Sequence, residues 1–199
     1  MPAPAPDLAC TDAVAVWAWL VADLHAAVAS ARHPLHVLTV ATAGGAGGPD
    51  ARAVVLRHVS ADARVIRFHC DARSPKVAAI TRDPRVSLHW YDLSRRMQVR
   101  IPATATIHHH DDVARGAWQT TQAMSRACYA SPFPPGAALA AFPAAPSQPA
   151  ADDDAGGANF AVVSCRFESV DLLSLHAAGH QRVLLQVDRD PVSWTVLAP

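Results

Sequence analysis

The sequence predicts a mainly β (α+β) domain in which an antiparallel sheet curls into a barrel and helices flank it. Two observations predict this. Six or more short β runs are joined mainly by tight turns, and short turns require antiparallel pairing. Helical patterns occur only at the start, after the third β run and after the fifth. An antiparallel sheet of this size with open edges is an aggregation hazard, and closure removes the edges. The chain has 199 residues, 51% of them apolar. That suits one domain, 1–199, with a substantial core.

The elements follow in order. Residues 1–10 are rich in Pro and Ala and read as a mobile arm. Thr11 or Asp12 caps a helix running to about Arg32, with Val14, Trp17, Val21, Leu24 and Val28 as its apolar stripe. Pro34 ends it. Residues 35–41 are β-rich, and the Gly-rich run 44–49 is a turn that lacks the Lys-Ser/Thr ending of a phosphate loop. Val54, Leu56 and Val59 mark a second β run, and Val65, Ile66 and Phe68 a third. Ser74 and Pro75 start a short helix that Asp83-Pro84 stops. Residues 86–91 form a strand, and 97–107 a long one in which Met97, Val99 and Ile101 face one way and Gln98 and Arg100 the other. Pro102 marks a bulge or an edge position there. His108, His109 and His110 are consecutive, so they alternate faces and do not converge on one metal ion. Asp111 is better placed as an N-cap for a helix to about Thr121, with a second short helix over 122–130. Residues 131–158 are a Pro/Ala/Gly-rich insert. Residues 159–175 read as one long bent strand, and 182–187 and 194–197 close the sheet.

Charge and cysteine content narrow the function. Seventeen basic residues balance seventeen acidic ones, so the whole-protein field favours neither nucleic acid nor an anionic membrane. Between Arg52 and Arg100, however, 11 basic residues meet only four acidic ones. A basic centre in a neutral protein suits a small anionic ligand. The four cysteines have no CxxC spacing, which predicts reduced thiols, no metal site and a cytoplasmic protein. Neither a signal peptide nor a membrane span is expected.

Residues 51–76 concentrate the chemistry. Ser74 as N-cap and Pro75 at the first helical position leave free backbone N–H groups at a positive dipole end. Arg52, Arg57, Arg73 and Lys76 surround that point, and Lys76 is the only lysine in the chain. This stretch is expected to grip a phosphate, and the phosphate to belong to a cofactor.

Arg52-Ala-Val-Val-Leu-Arg57, then Phe68-His-Cys-Asp-Ala-Arg-Ser74-Pro-Lys76, then Asp83-Pro-Arg-Val86, then Arg96-Met-Gln98-Val-Arg100, resemble the FMN-binding core of the pyridoxamine 5′-phosphate oxidase family. Trp194 with Leu197-Ala198-Pro199 resembles that family's closing motif. The resemblance implies a six-stranded antiparallel split β-barrel homodimer with FMN between subunits. It implies that Arg52 and Lys76 hold the FMN phosphate with Ser74 beside them. It places Val54, Val55 and Leu56 along the flavin ring through backbone groups, and Arg57 facing flavin or substrate. His69 and Cys70 stand where the family often has Tyr-Thr, Gln98 bonds the ring or ribityl chain, and Arg182 approaches the flavin from the partner subunit. His180 belongs to the family's late substrate-binding element.

The departures fall mainly on substrate residues. Pro75 replaces one cation of the phosphate clamp, with Arg73 as the candidate substitute. Ala178 stands at the Arg of the late Arg-x-His element, and the aromatic residue expected near Leu172 is absent. The resemblance therefore implies an FMN-dependent oxidoreductase of unknown small-molecule substrate. A genuine pyridoxine/pyridoxamine 5′-phosphate oxidase, a flavin-binding protein without turnover, and a barrel for another cofactor (a deazaflavin or haem) are the alternatives.

Overall fold

The structure is a computed structural model that describes residues 3–44, 48–142, 156–176 and 179–199. Helix α1, Ala13–Ala29, starts where Asp12 Oδ1 accepts the Ala15 N–H at 2.8 Å, which satisfies one free donor of the first turn. Val16, Leu20, Leu24 and Ala27 form its buried face, together with Asp23. Of the expected stripe only Leu24 is buried, and Val14 is exposed. The helix is apolar on several sides, so spacing alone did not single out one face.

Nine strands follow: β1 Val37–Thr42, β2 Asp50–Ser60, β3 Val65–Asp71, β4 Arg85–Asp92, β5 Met97–His108, β6 Phe160–Phe167, β7 Ser169–Ser174, β8 Gln181–Gln186 and β9 Ser193–Leu197. Six of them close an antiparallel barrel in the order β4-β1-β2-β3-β6-β5, with β5 pairing back to β4. The other three continue from β5 as β7-β8-β9. This is the expected barrel, with a three-stranded wing added.

Strand β5 joins the two parts. Met97–Arg100 pair with β7, and Ala103–His108 pair with β6. Strands β6 and β7 are separated only by Glu168, so they are the predicted bent strand. Pro102, which has no N–H to give, falls in the gap between the two partners, where a missing donor costs least. Met97, Val99 and Ile101 are buried as the alternation required.

Three further helices flank the barrel: α2 Pro75–Arg82, α3 Asp112–Thr120 and α4 Ala123–Arg126. Asp111 caps α3 by accepting the Ala114 N–H at 2.9 Å. The interior is filled by Leu56, Ile66, Phe68, Leu88, Ile101 and Phe167, each at most 2% exposed. Burying one such side chain contributes about 1.5–3 kcal/mol. Within the expected arm, Leu8 is buried and its N–H donates to Gln181 Oε1 at 3.0 Å. Among the described residues, no helix is long and apolar enough to cross a membrane. Ala178 and most of the insert (143–155) lie outside the described residues.

Candidate functional site

The site begins with a parting of two strands. Ladder pairing between β2 and β3 starts at Leu56↔Phe68 and runs to Ser60↔Val65. Before Leu56, residues Asp50–Val55 pair with β1 only. The end of β3, Cys70 and Asp71, pairs with β6 instead. The Leu56 N–H donates to the His36 carbonyl on the β1 side, so by alternation Val54 also faces β1, and it is the backbone groups of Val55 that are left on that edge without a ladder partner, where backbone groups need one. This split leads to the start of α2.

At the α2 start, Ser74 is in extended conformation and almost fully buried, yet its hydroxyl makes no cap bond. It accepts Lys76 Nζ at 3.2 Å instead. In the first turn of α2 Pro75 has no N–H and the Val77 N–H donates to the Ser74 carbonyl at 2.9 Å, which leaves the Lys76 N–H beside an ammonium group at a positive helix end, an arrangement that favours an anion. Arg52 reaches from β2, donating to Thr42 Oγ1 at 3.0 Å and the Val40 carbonyl at 3.2 Å, and pairing with Asp50. Cys70 is buried beneath this point; burial, chiefly, pushes its thiol up to about 11, so it acts as a small weak donor.

Arg73 is committed elsewhere. Its Nε and Nη2 clasp Asp71 at 3.0 and 2.6 Å, and Nη2 also donates to the Ser131 carbonyl at 3.0 Å. Burial pushes the Asp71 carboxyl up, but the Arg73 hydrogen bonds outweigh it and hold the pKa below its usual value. Arg73 ties the start of the insert to the barrel.

A register shift between Leu56 and His58 places a β-bulge at Arg57. Leu56 and Val59 stay buried, while Arg57 and His58 are both exposed on the outer face. A bulge re-aims side chains in this way, often beside functional sites. Arg57, His58, Arg67 and His69 line a cavity of about 680 Å³ whose other wall is α3 and the end of α1. Burial, then the nearby Arg57 charge, lowers His69 to about 4, so its imidazole is neutral near pH 7. The alternation Ile66-Arg67-Phe68-His69 already put Arg67 beside His69; its role was missed because no motif named it.

The remaining predicted residues lie elsewhere. Gln98 Oε1 stands 3.2 Å from His89 Nε2. Arg182 holds Asp171 through Nε at 3.1 Å and Nη2 at 2.8 Å, and Arg100 bonds the same carboxylate at 2.6 Å. These groups sit on β4, β5, β7 and β8. In the barrel order β5 is three strands from β2, so one chain does not bring Gln98 and Arg182 to the split. His180 is exposed beside β8. Of the consecutive histidines, His108 Nδ1 meets Asp111 at 2.7 Å and His109 Nε2 meets the Ala158 carbonyl at 2.9 Å, while the His109 and His110 rings lie 3.6 Å apart. Among the described residues no three metal-ligating groups converge.

Fold and site together define a split-barrel protein with an anion grip at the opening of the split. Residues 15–109, just under half of the chain, match the family described as "Pyridoxamine 5′-phosphate oxidase, FMN-binding domain". A pyridoxine/pyridoxamine 5′-phosphate oxidase of Kineococcus radiotolerans is 40% identical over 96 residues, which are 47% of this chain and 40% of that protein. The match thus takes in less than half the relative's length. Two crystal structures share the fold. A pyridoxamine 5′-phosphate oxidase-related, FMN-binding protein of Nostoc punctiforme superposes with a TM-score of 0.70 at 24% identity, covering 92% of this chain and 97% of the other. PhzG of Burkholderia lata, in complex with tetrahydrophenazine-1-carboxylic acid, superposes with a TM-score of 0.65 at 19% identity, covering 92% and 89%.

Proposed function

We propose that this protein binds FMN and is an FMN-dependent oxidoreductase acting on a small molecule in the cytoplasm. One observation carries the reading. The stretch of β2 from Arg52 to Arg57, six residues or about 17 Å, has no β3 partner before Leu56 and ends at Arg57 on the cavity wall, while the Lys76–Ser74 pair stands at the start of α2. An extended flavin mononucleotide has this shape: a dianionic phosphate, a chain and a planar ring.

The residues fit their parts. Lys76, through its ammonium and its backbone N–H, Ser74 and Arg52 receive the phosphate; Arg's planar fork and Lys's point charge suit it. The backbone groups of Val55 face the ring edge, with Val54 and Leu56 flanking it on the same strand. Neutral His69 and buried Cys70 offer the ring weak polar contact without adding charge. When bound, FMN supplies the redox chemistry; the chain orients it and shields it from water. Gln98, beside His89 on the far side of the barrel from β2, and Arg182, held by Asp171 in the wing, suit a flavin shared with a second copy, which favours a homodimer with the ring between subunits. The four unpaired cysteines suit a reducing compartment.

Purified protein should be yellow, with the two absorption bands of oxidised flavin, or should acquire them on adding FMN. Colourless protein that takes up no FMN overturns the reading. Turnover of pyridoxamine 5′-phosphate in air would assign the specific oxidase activity carried by the Kineococcus relative's name.

A further inference from the structure

The turn that carries the phosphate grip is held by residues at the two ends of the 131–158 insert. Residues 71–74 form a tight turn, closed by the Ser74 N–H donating to the Asp71 carbonyl at 3.0 Å. Ser74 ends the turn and Lys76 follows two residues on, so the place of this turn sets the place of both grip residues. The β3–β6 ladder stops at Asp71↔Phe160. One bond continues past its end: the Ala72 N–H donates to the Asn159 carbonyl at 2.7 Å. The Asn159 side chain is anchored in turn, with Nδ2 donating to the Tyr129 carbonyl at 2.8 Å. Asn159 thus ties the grip's turn to the 3-10 turn Ala127–Tyr129 that follows α4. The same junction is closed at Gly156, which is buried and whose carbonyl accepts the Asn159 N–H at 3.0 Å. A Cβ at Gly156 would lie 2.9 Å from the Arg126 carbonyl oxygen and 3.0 Å from the Ala130 nitrogen. Both are backbone atoms, so only glycine permits this approach.

We infer that Asn159 is a positioning residue for the phosphate grip. It holds the 71–74 turn so that Ser74 and Lys76 meet a phosphate together, and Gly156 gives it the room to do so. The inference rests on the phosphate assignment of the proposed function, but not on the phosphate being that of a flavin. Asn159 acts through its bond to Ala72 and through the turn that follows. Binding groups must be held within about 0.5 Å of their productive place, and the residues behind them supply that precision. An amide bracket and a missing Cβ fix the same 156–159 segment, which makes this junction a stiff support for the grip.

A double-variant cycle on the whole protein tests this. FMN affinity is measured by fluorescence quenching in wild type, Asn159→Ala, Lys76→Ala and the pair, and inorganic phosphate affinity by calorimetry in the same four proteins. Circular dichroism establishes that each is folded. With Lys76 present, Asn159→Ala should weaken FMN about fivefold, the worth of one hydrogen bond. Without Lys76 the same change should weaken it less than about twofold, because the two residues act as a unit. Inorganic phosphate should lose affinity in Asn159→Ala as well. Gly156→Ala should repeat the pattern, and it serves if Asn159→Ala does not fold. A residue that only stabilises the fold would weaken FMN equally in both backgrounds or in neither, and either result overturns the inference. Two variants that both fail to fold would mark the junction as structural and overturn it too. Phosphate binding that depends on Lys76 and Asn159, in a protein that takes up no FMN, would uphold the positioning role and overturn the flavin reading alone. Wild type that binds neither probe would overturn both.

Discussion

Lys76 Nζ donates to Ser74 Oγ at 3.2 Å, and that hydroxyl makes no bond to the helix it introduces. A Ser at an N-cap ordinarily stabilises its helix, and replacing it with Ala costs about 1 kcal/mol. Here the hydroxyl serves the lysine. Ser74→Ala should therefore cost less stability than losing an ordinary N-cap, while FMN binds more weakly by up to about tenfold, the worth of one hydrogen bond. Urea unfolding and flavin fluorescence titration measure the two effects. A full N-cap penalty with unchanged FMN affinity would contradict the assignment.

Arg73 should behave in the opposite way. Its guanidinium is spent on Asp71 and the Ser131 carbonyl. Arg73→Ala should leave FMN affinity nearly unchanged and make the 131–142 segment more sensitive to protease. Loss of FMN comparable to that of a Lys76 variant, without added cleavage, would return Arg73 to the phosphate grip.

The contrast shows what the sequence made legible. Strand β5 was readable because Met97, Val99 and Ile101 alternate with polar partners, and the α3 start because Asp111 precedes an amphipathic helix. The α2 start was readable because Ser74 and Pro75 are adjacent in the chain, an N-cap followed by a first-turn proline. The partner of Arg73 is also near in sequence, but Asp71 and Ser131 both had to be placed before the competition for its charge was visible. The bulge at Arg57 and His58 was hidden, since a one-residue shift leaves no mark in composition. The distance between Gln98 and the split depends on strand order, which local patterns do not encode.

Arg95 lies at the centre of a buried ion network. Its Nη2 meets Asp23 and its Nε meets Asp92, both at 2.6 Å, with all three side chains at most 8% exposed. Arg95→Met would strand two buried carboxylates, and breaking such a pair costs about 3–5 kcal/mol. Burial raises the Asp92 pKa, but bonds from Ser94 and Arg95 outweigh it and the net shift is downward. A carboxyl with a folded pKa below its unfolded value, about 3.9, stabilises the fold above that value and loses this contribution as pH falls through the folded pKa. The urea midpoint of the wild type should fall below about pH 4, and Asp92→Asn should flatten that fall. An unchanged slope would detach Asp92 from the network.

His69 gives a second pH window. Its folded pKa is about 4, and an unperturbed His titrates near 6.5. Between these values the unfolded chain takes up a proton that the folded protein refuses, so stability decreases as pH falls from about 6.5 toward 4. His69→Gln should remove part of that slope. Proton NMR should show the His69 ring neutral through pH 5. An ordinary titration near 6.5 would contradict its burial against Phe160, where the ring centroids are 4.8 Å apart.

The most direct test of the central claim is FMN titration into cofactor-free protein, followed by quenching of flavin fluorescence. Wild type should bind, and the Arg52→Ala/Lys76→Ala double variant should bind at least about 100-fold more weakly, since two charged contacts to the phosphate are lost. The His109→Ala/His110→Ala double variant should match wild type. Equal affinity in the two double variants, or no uptake by wild type, would contradict the account.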